Sequence, residues 1–208
     1  MNNTAQQLLK FWQKRNISGF YYQKIEEAAR KILEIVPPDA SIGFSGSQTL
    51  SQMNLIGLLE ERGNIVFNPY KSGLSVDESL EIRRLATSAD FYLASANSIT
   101  EDGKLIFFSG FGNRTSGIAY AKNVLVICGV NKIVKDLAGA LKRAREYATP
   151  LNCKRLNWNT PCLKDGTCHE DTCFFPEYKR MCCQVLIIEG EVSPDRLKVI
   201  LIGESLGF

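Results

Sequence analysis

The spacing of apolar and polar positions divides the chain into short helices and strands. Residues 3–15 have helical character without a strong apolar stripe. Over Tyr21–Val36, Ile25, Ala28, Ala29, Ile32 and Leu33 recur at helical spacing, and the Pro37-Pro38-Asp39 step ends that helix. "ASIGFSG" is a short strand ending in glycine; "QTLSQMNLIGLLEERG" follows as a helix with Ser47 as its cap and Gly63 as its stop. "NIVFN" and "DFYLAS" are strands on either side of the helix "VDESLEIRRLATSA", where Asp77 and Glu78 suit the positive end. "TEDGKLIFF" carries Asp102-Gly103, a hairpin signal, with Leu105–Phe108 as the returning strand. "GNRTSGIAYA" opens a short helix with Asn113 as cap, and "NVLVICG" is apolar throughout, as in a strand buried on both faces. Lys132–Ala148 forms an amphipathic helix through Ile133, Leu137, Leu141 and Ala144, with the basic residues from Lys132 to Arg145 on its polar face. "QVLIIEG" and "RLKVILIGE" are the last strands.

Strands alternating with helices predict an α/β protein: three layers around a mostly parallel sheet, with the hairpin at an edge. The chain reads as one domain over 1–208, with a helical extension at about 1–18 and a Cys-rich insert at about 150–183. Pro150 marks the start of the insert, where helix gives way to loop, and the two closing strands return to the core.

The 208 residues carry a net charge of only +3, which lacks the electrostatic footprint of a nucleic-acid binder. No run approaches the roughly 20 apolar residues of a membrane span, and the N-terminus has no signal-peptide pattern, so a cytoplasmic protein is expected. Six of the seven cysteines fall between 153 and 183; an odd count in such a chain points to metal or reactive thiols rather than a disulfide framework.

Two loops carry candidate binding chemistry, since ligands of open α/β sheets sit beyond the carboxyl ends of the strands. In "GFSGSQTL", Gly46 permits close backbone approach, and Ser47, Gln48 and Thr49 sit at a helix N-terminus suited to an anion; helix capping by Ser47 is the competing structural reading. In "GFGNRTSG", Gly112, Asn113 and Arg114 offer backbone amides, a side-chain amide and a guanidinium able to grip a carboxylate or phosphate. Glu101 is either an acid or base beside the ligand or a solvated turn carboxylate. The expected ligand is a small anionic metabolite. With a single histidine and no Ser/His/Asp set, hydrolase chemistry has little support.

Thiolates bind soft metals, and the set Cys162, Cys168, Cys173 and Cys182 is the preferred ligand group, for a 4Fe-4S cluster or alternatively zinc. Its spacing matches neither the paired C-x2-C knuckles of a zinc ribbon nor the usual ferredoxin runs. Cys183 diverges from its neighbour, Cys128 belongs to a core strand, and His169 is either a further ligand or an exposed loop residue. A partner-docking role for the segment is the alternative, on the aromatic "CFFPEY".

"GFSGSQTL", "ANSITEDGKLIFFSGFGNR", "NVLVICGVNKIVKDLAGAL" and "VILIGESLGF" together resemble the LUD-domain family, which includes lactate-utilization protein C. "TPCLKDGTC" is similar to a proline–cysteine, glycine–cysteine cluster of many members, although the next cysteine here is spaced wider. The resemblance implies a NagB/RpiA/CoA-transferase-like fold, with the two glycine loops lining the ligand site. It also implies a role in lactate or related organic-acid utilisation beside iron–sulfur partner proteins. A sugar-phosphate isomerase-like activity follows from fold analogy alone, and an oligomer is compatible with all of these.

Overall fold

The computed structural model describes residues 3–208. Helix α1 (Asn3–Lys14) buries Ala5, Leu8 and Trp12, and leads into strand β1 (Ser18–Tyr22). The helical spacing assigned from Tyr21 therefore starts only at α2 (Ile25–Ile35). The aromatic stretch before it is extended, because it lies along the edge of a sheet. Next come β2 (Ile42–Phe44), α3 (Gln48–Gln52), α4 (Leu55–Glu61), β3 (Val66–Phe67), α5 (Val76–Ala86) and β4 (Phe91–Ala94). The single helix expected over 48–63 is broken at Asn54, whose left-handed backbone (φ 46°) is one that asparagine tolerates.

The hairpin comprises β5 (Ser98–Thr100) and β6 (Leu105–Ser109), with Gly103 at φ 90° in the turn. After it follow α6 (Asn113–Tyr120), β7 (Asn123–Gly129), β8 (Ile133–Val134), α7 (Leu137–Arg143), α8 (Thr149–Leu156), α9 (Cys162–Asp165), β9 (Gln184–Ile188) and β10 (Leu197–Ile202). Gly112, at φ 85°, and not Asn113, is the cap of α6.

Two expectations for the middle of the chain change. The helix assigned to Lys132–Ala148 begins only at Leu137, where the Asp136 carboxylate accepts from the Gly139 amide (2.8 Å). Nor does it stop at Pro150. A π turn over Ala144–Ala148 joins α7 to α8, and the Thr149 N–H reaches the Ala144 carbonyl. Proline lacks an N–H and crowds the carbonyl four residues back; the wider turn just ahead of it relieves both problems.

The strands form two sheets. One is six-stranded in the order β1-β10-β7-β4-β2-β3 with every pairing parallel. The hairpin belongs to a second sheet, ordered β8-β5-β6-β9. Strand β9, expected as a core strand, is there an antiparallel edge strand with two exposed residues at its start. In β7, Leu125 and Ile127 face the layer of α2, α3 and α4, while Val124, Val126 and Cys128 face α1, α6 and the second sheet. The alternation confirms that β7 is buried on both faces, with Cys128 in the core. Beyond the second sheet, Ile106 and Phe108 pack on Ala140 and Ala144. Among the described residues no helix is long and apolar enough to cross a membrane.

Candidate functional site

The loops leaving β2 and β6 meet beside the start of α6. A cavity of about 260 Å³ opens there. Gly46, Asn113 and Arg114 line it, as do Arg83 from α5 and Arg155 from α8. Among the described residues no Asp or Glu lines it.

Arg114 directs most of its donors at the protein. Its Nη2 donates to the Gly46 carbonyl (2.6 Å), Nη1 to the Phe108 carbonyl (2.9 Å) and to Asn97 Oδ1 (3.4 Å), and Nε to Ser45 Oγ (3.2 Å). It thus straps the end of β2 to the end of β6. Arg83 lies between two rings, its guanidinium 5.6 Å from the Tyr70 centroid and 5.2 Å from that of Phe111, and its buried Nε has no hydrogen-bond partner. Arg155 donates through Nε and Nη2 to a single acceptor, Asn152 Oδ1 (3.2 and 2.8 Å). Burial pushes the pKa of Arg114 down from the ordinary arginine value. Guanidinium groups titrate so high that these cations persist, and no carboxylate pairs with any of the three among the described residues. Below the cavity, burial raises the Tyr92 phenol, which stays protonated and donates to the Asn113 carbonyl (2.8 Å).

The other residues of the two loops lie elsewhere. Gly112 lines an adjoining groove. The Ser47 hydroxyl caps α3 by accepting from the Leu50 amide (3.3 Å), and neither Ser47 nor Gln48 lines the cavity. Thr49 is fully buried. Glu101 is exposed in the hairpin turn, its amide donating to the Val134 carbonyl (2.8 Å). That turn is tied to α1, because Trp12 Nε1 donates to the Gly103 carbonyl (2.8 Å). Hydrogen bonds from Lys104 and Thr100 hold the neighbouring Asp102 at a pKa of about 2.

Arg83 and Arg155 were not legible as site residues. One sits in an ordinary amphipathic helix and the other in a segment that reads as loop. Lys132, expected on a polar helix face, is 3 % exposed. Its ammonium donates to Ser95 Oγ (2.8 Å), Thr49 Oγ1 (3.0 Å) and the Ala96 carbonyl (3.1 Å), clamping the first turn of α3 to the loop after β4. Burial lowers its pKa to about 8. An unfolded lysine titrates near 10.4, so between these values the folded chain binds fewer protons. The lysine's contribution to stability therefore rises with pH from about 8 to about 10.5 and is flat on either side. Its full span is on the order of 3 kcal/mol. Buried thiols act in the opposite sense from about pH 9, Cys153 being pushed up to about 12. The lysine is accordingly read from the stability difference between the chain and Lys132→Met, which should climb between pH 7.5 and 10 in urea titrations. A flat difference would contradict the burial of a charged lysine.

Cys162, Cys168, Cys173 and Cys182 line one small cavity of about 20 Å³. Burial, then the neighbouring Cys182, raises the thiols of Cys168 and Cys173. Arg145 and Arg180 flank the cavity and share Glu170 (3.1 and 2.9 Å), cationic surroundings that suit a thiolate-rich centre. The donor set thus fits a soft metal in kind. It is not a closed coordination shell, because among the described residues no three His, Cys, Asp or Glu side chains are grouped to hold an ion. Cys183 turns outward and donates to the Arg180 carbonyl (2.9 Å), and His169 is exposed and paired with Asp165 (2.7 Å). The two cavities share Thr149 and Met181 as a common wall.

A parallel sheet flanked by helices, with a second small sheet at its side, defines a three-layer α/β protein, and a cationic pocket lies at the strand ends. The LUD domain family model matches residues 5–202, and the chain belongs to the LUD-domain family, which is associated with lactate utilisation. A solved DUF162 family protein from Deinococcus radiodurans shares the fold at 11 % identity, covering 96 % of each chain with a TM-score of 0.52. A ribose 5 phosphate isomerase A from Neisseria gonorrhoeae aligns over 54 % of each chain at 20 % identity, with a TM-score of 0.35. No curated protein matches the chain in sequence.

Proposed function

We propose that this protein binds a small anionic metabolite in lactate or related organic-acid utilisation, in the pocket of Arg83, Arg114 and Arg155. The observation that carries the reading is three guanidinium groups around one cavity with no carboxylate among its lining residues. A charged hydrogen bond of this kind is worth about 1.5–3 kcal/mol. Arg155 is exposed, so Arg155→Gln should leave the fold intact while weakening orthophosphate or pyruvate binding at least tenfold by calorimetry. Unchanged affinity for both anions removes the pocket from consideration. The absence of a lining Asp or Glu also counts against sugar-phosphate isomerase chemistry, which needs a carboxylate or similar base to move a proton.

The proposal extends to a metal centre on Cys162, Cys168, Cys173 and Cys182, either a 4Fe-4S cluster or zinc, in a cytoplasmic protein working with iron–sulfur partners. Support comes from four thiols around one cavity with arginines beside them. Bound there, such a centre supplies either electron transfer or a structural staple. Anaerobic purification with absorption spectroscopy and metal analysis separates the outcomes: stoichiometric iron and sulfide for a cluster, zinc for a staple. Finding neither metal rejects the centre. Phe174 and Phe175, 57 % and 85 % exposed, favour a second reading in which the same segment docks a partner. Co-purification lost in Phe175→Ser, with anion binding retained, distinguishes it.

A further inference from the structure

The arginine pocket is the inner part of a larger site. Tyr70, Arg83, Gly110, Phe111 and Trp158 line both the inner cavity and an outer chamber of about 750 Å³. The chamber's wall carries a group of aromatic and apolar side chains. Phe111 is 56 % exposed and Val76 77 % exposed, with Pro69 and Leu74 beside them. Trp158 meets Phe111 edge-on, the ring centroids 5.7 Å apart at 79°. The Trp158 ring is pinned by its Nε1 donating to the Lys179 carbonyl (2.5 Å).

Charge continues outward in the same sense. Lys71, Lys179 and Arg180 line the outer chamber, and again no Asp or Glu does among the described residues. Lys71 is paired with Glu60 (3.4 Å) and Arg180 with Glu170 (2.9 Å), both acids lying outside the lining. Lys179 has no ion-pair partner among the described residues. A three-carbon acid fills only part of the inner cavity and leaves the aromatic chamber to water. Pockets of about 300–1,000 Å³ take ligands of drug size. The inner arginines select a multiply charged anion, because three cations meet there with no carboxylate among the described lining residues, and the Arg83 Nε is free to donate to a phosphate oxygen. The outer rings select a planar group, because stacking uses the π-face of a base.

We infer that the ligand is a nucleotide, its phosphates held by Arg83, Arg114 and Arg155 and its base lying against Phe111 and Trp158. This rests on the anion-pocket reading and narrows it from any small anion to a phosphate ester bearing a planar ring. Arg83 joins the two halves, since its guanidinium lies against Phe111 while its Nε awaits an acceptor.

Calorimetric titration of the whole chain with ADP, orthophosphate and pyruvate tests it. ADP should bind at least tenfold more tightly than either small anion. Phe111→Ala should weaken ADP about tenfold, the usual scale for losing one base–aromatic stack, and weaken orthophosphate by a clearly smaller factor, through the loosened Arg83 alone. Phe111→Tyr should restore ADP binding. ADP binding no tighter than orthophosphate, or unaffected by Phe111→Ala, overturns the inference. Orthophosphate binding that is lost in Arg155→Gln would then still support the anion pocket. Tighter binding of pyruvate than of ADP likewise rejects the nucleotide and keeps the pocket. If none of the three probes binds, both readings fail.

Discussion

Arg114→Ala should lower the stability of the folded chain by about 2–4 kcal/mol and abolish anion binding. The side chain bonds two backbone carbonyls, a hydroxyl and a side-chain amide from the loop after β2, the end of β6 and the segment just before β5. Alanine leaves all four acceptors to find water or remain unpaired, at about 1–3 kcal/mol for each that stays buried. Water entering from the cavity offsets part of that loss, which sets the upper bound. Small domains have only about 5–15 kcal/mol to lose, so urea titration will register the change. Arg114→Lys keeps the charge but cannot fork between two strand ends, and should recover less than half of the stability. A variant that loses binding at unchanged stability would make Arg114 a ligand and not a strap.

Gly43→Ala should cost about 3 kcal/mol, the upper end of the range of about 1–3 kcal/mol for overpacking. A methyl at this position in β2 would lie 1.9 Å from the Ala86 carbonyl oxygen and 2.6 Å from its carbon. These are backbone atoms at the end of α5, so no rotamer change relieves the overlap and the helix itself must move. That helix carries Arg83, so anion affinity should fall together with the urea midpoint. Gly63→Ala is the control. Its φ of +94° carries backbone strain of about 1–2 kcal/mol, but nothing lies within 4 Å of the added methyl. Equal costs at the two positions would show that close approach of α5 to β2 is not what demands glycine.

Elements with strong local signals were legible in the chain itself. "NVLVICG" has no polar interruption because both of its faces are covered, and β7 lies inside the parallel sheet. The hairpin follows from a turn whose glycine takes φ 90°. Edges were not legible. Strand β1 has only partly buried residues, and its tyrosines run straight into a helical pattern. The end of α7 was misplaced because proline signals a stop, whereas a π turn admits it.

For the site, the sequence by itself determined that two glycine-bearing loops follow strands and that one of them carries Arg114. It also concentrated six cysteines in one segment. Only the tertiary structure decided what each residue meets. Arg114 faces four protein acceptors, Thr49 and Lys132 leave the surface to clamp α3 to the loop after β4, and Arg83 and Arg155 arrive from distant helices to line the cavity. The reason is physical: periodicity records which face of an element is apolar, since burial of that face drives folding. A cation at the rim of a cavity leaves no periodic trace. Its meaning depends on whether a carboxylate comes within a few ångströms, and that is settled by how helices from different parts of the chain pack around the sheet.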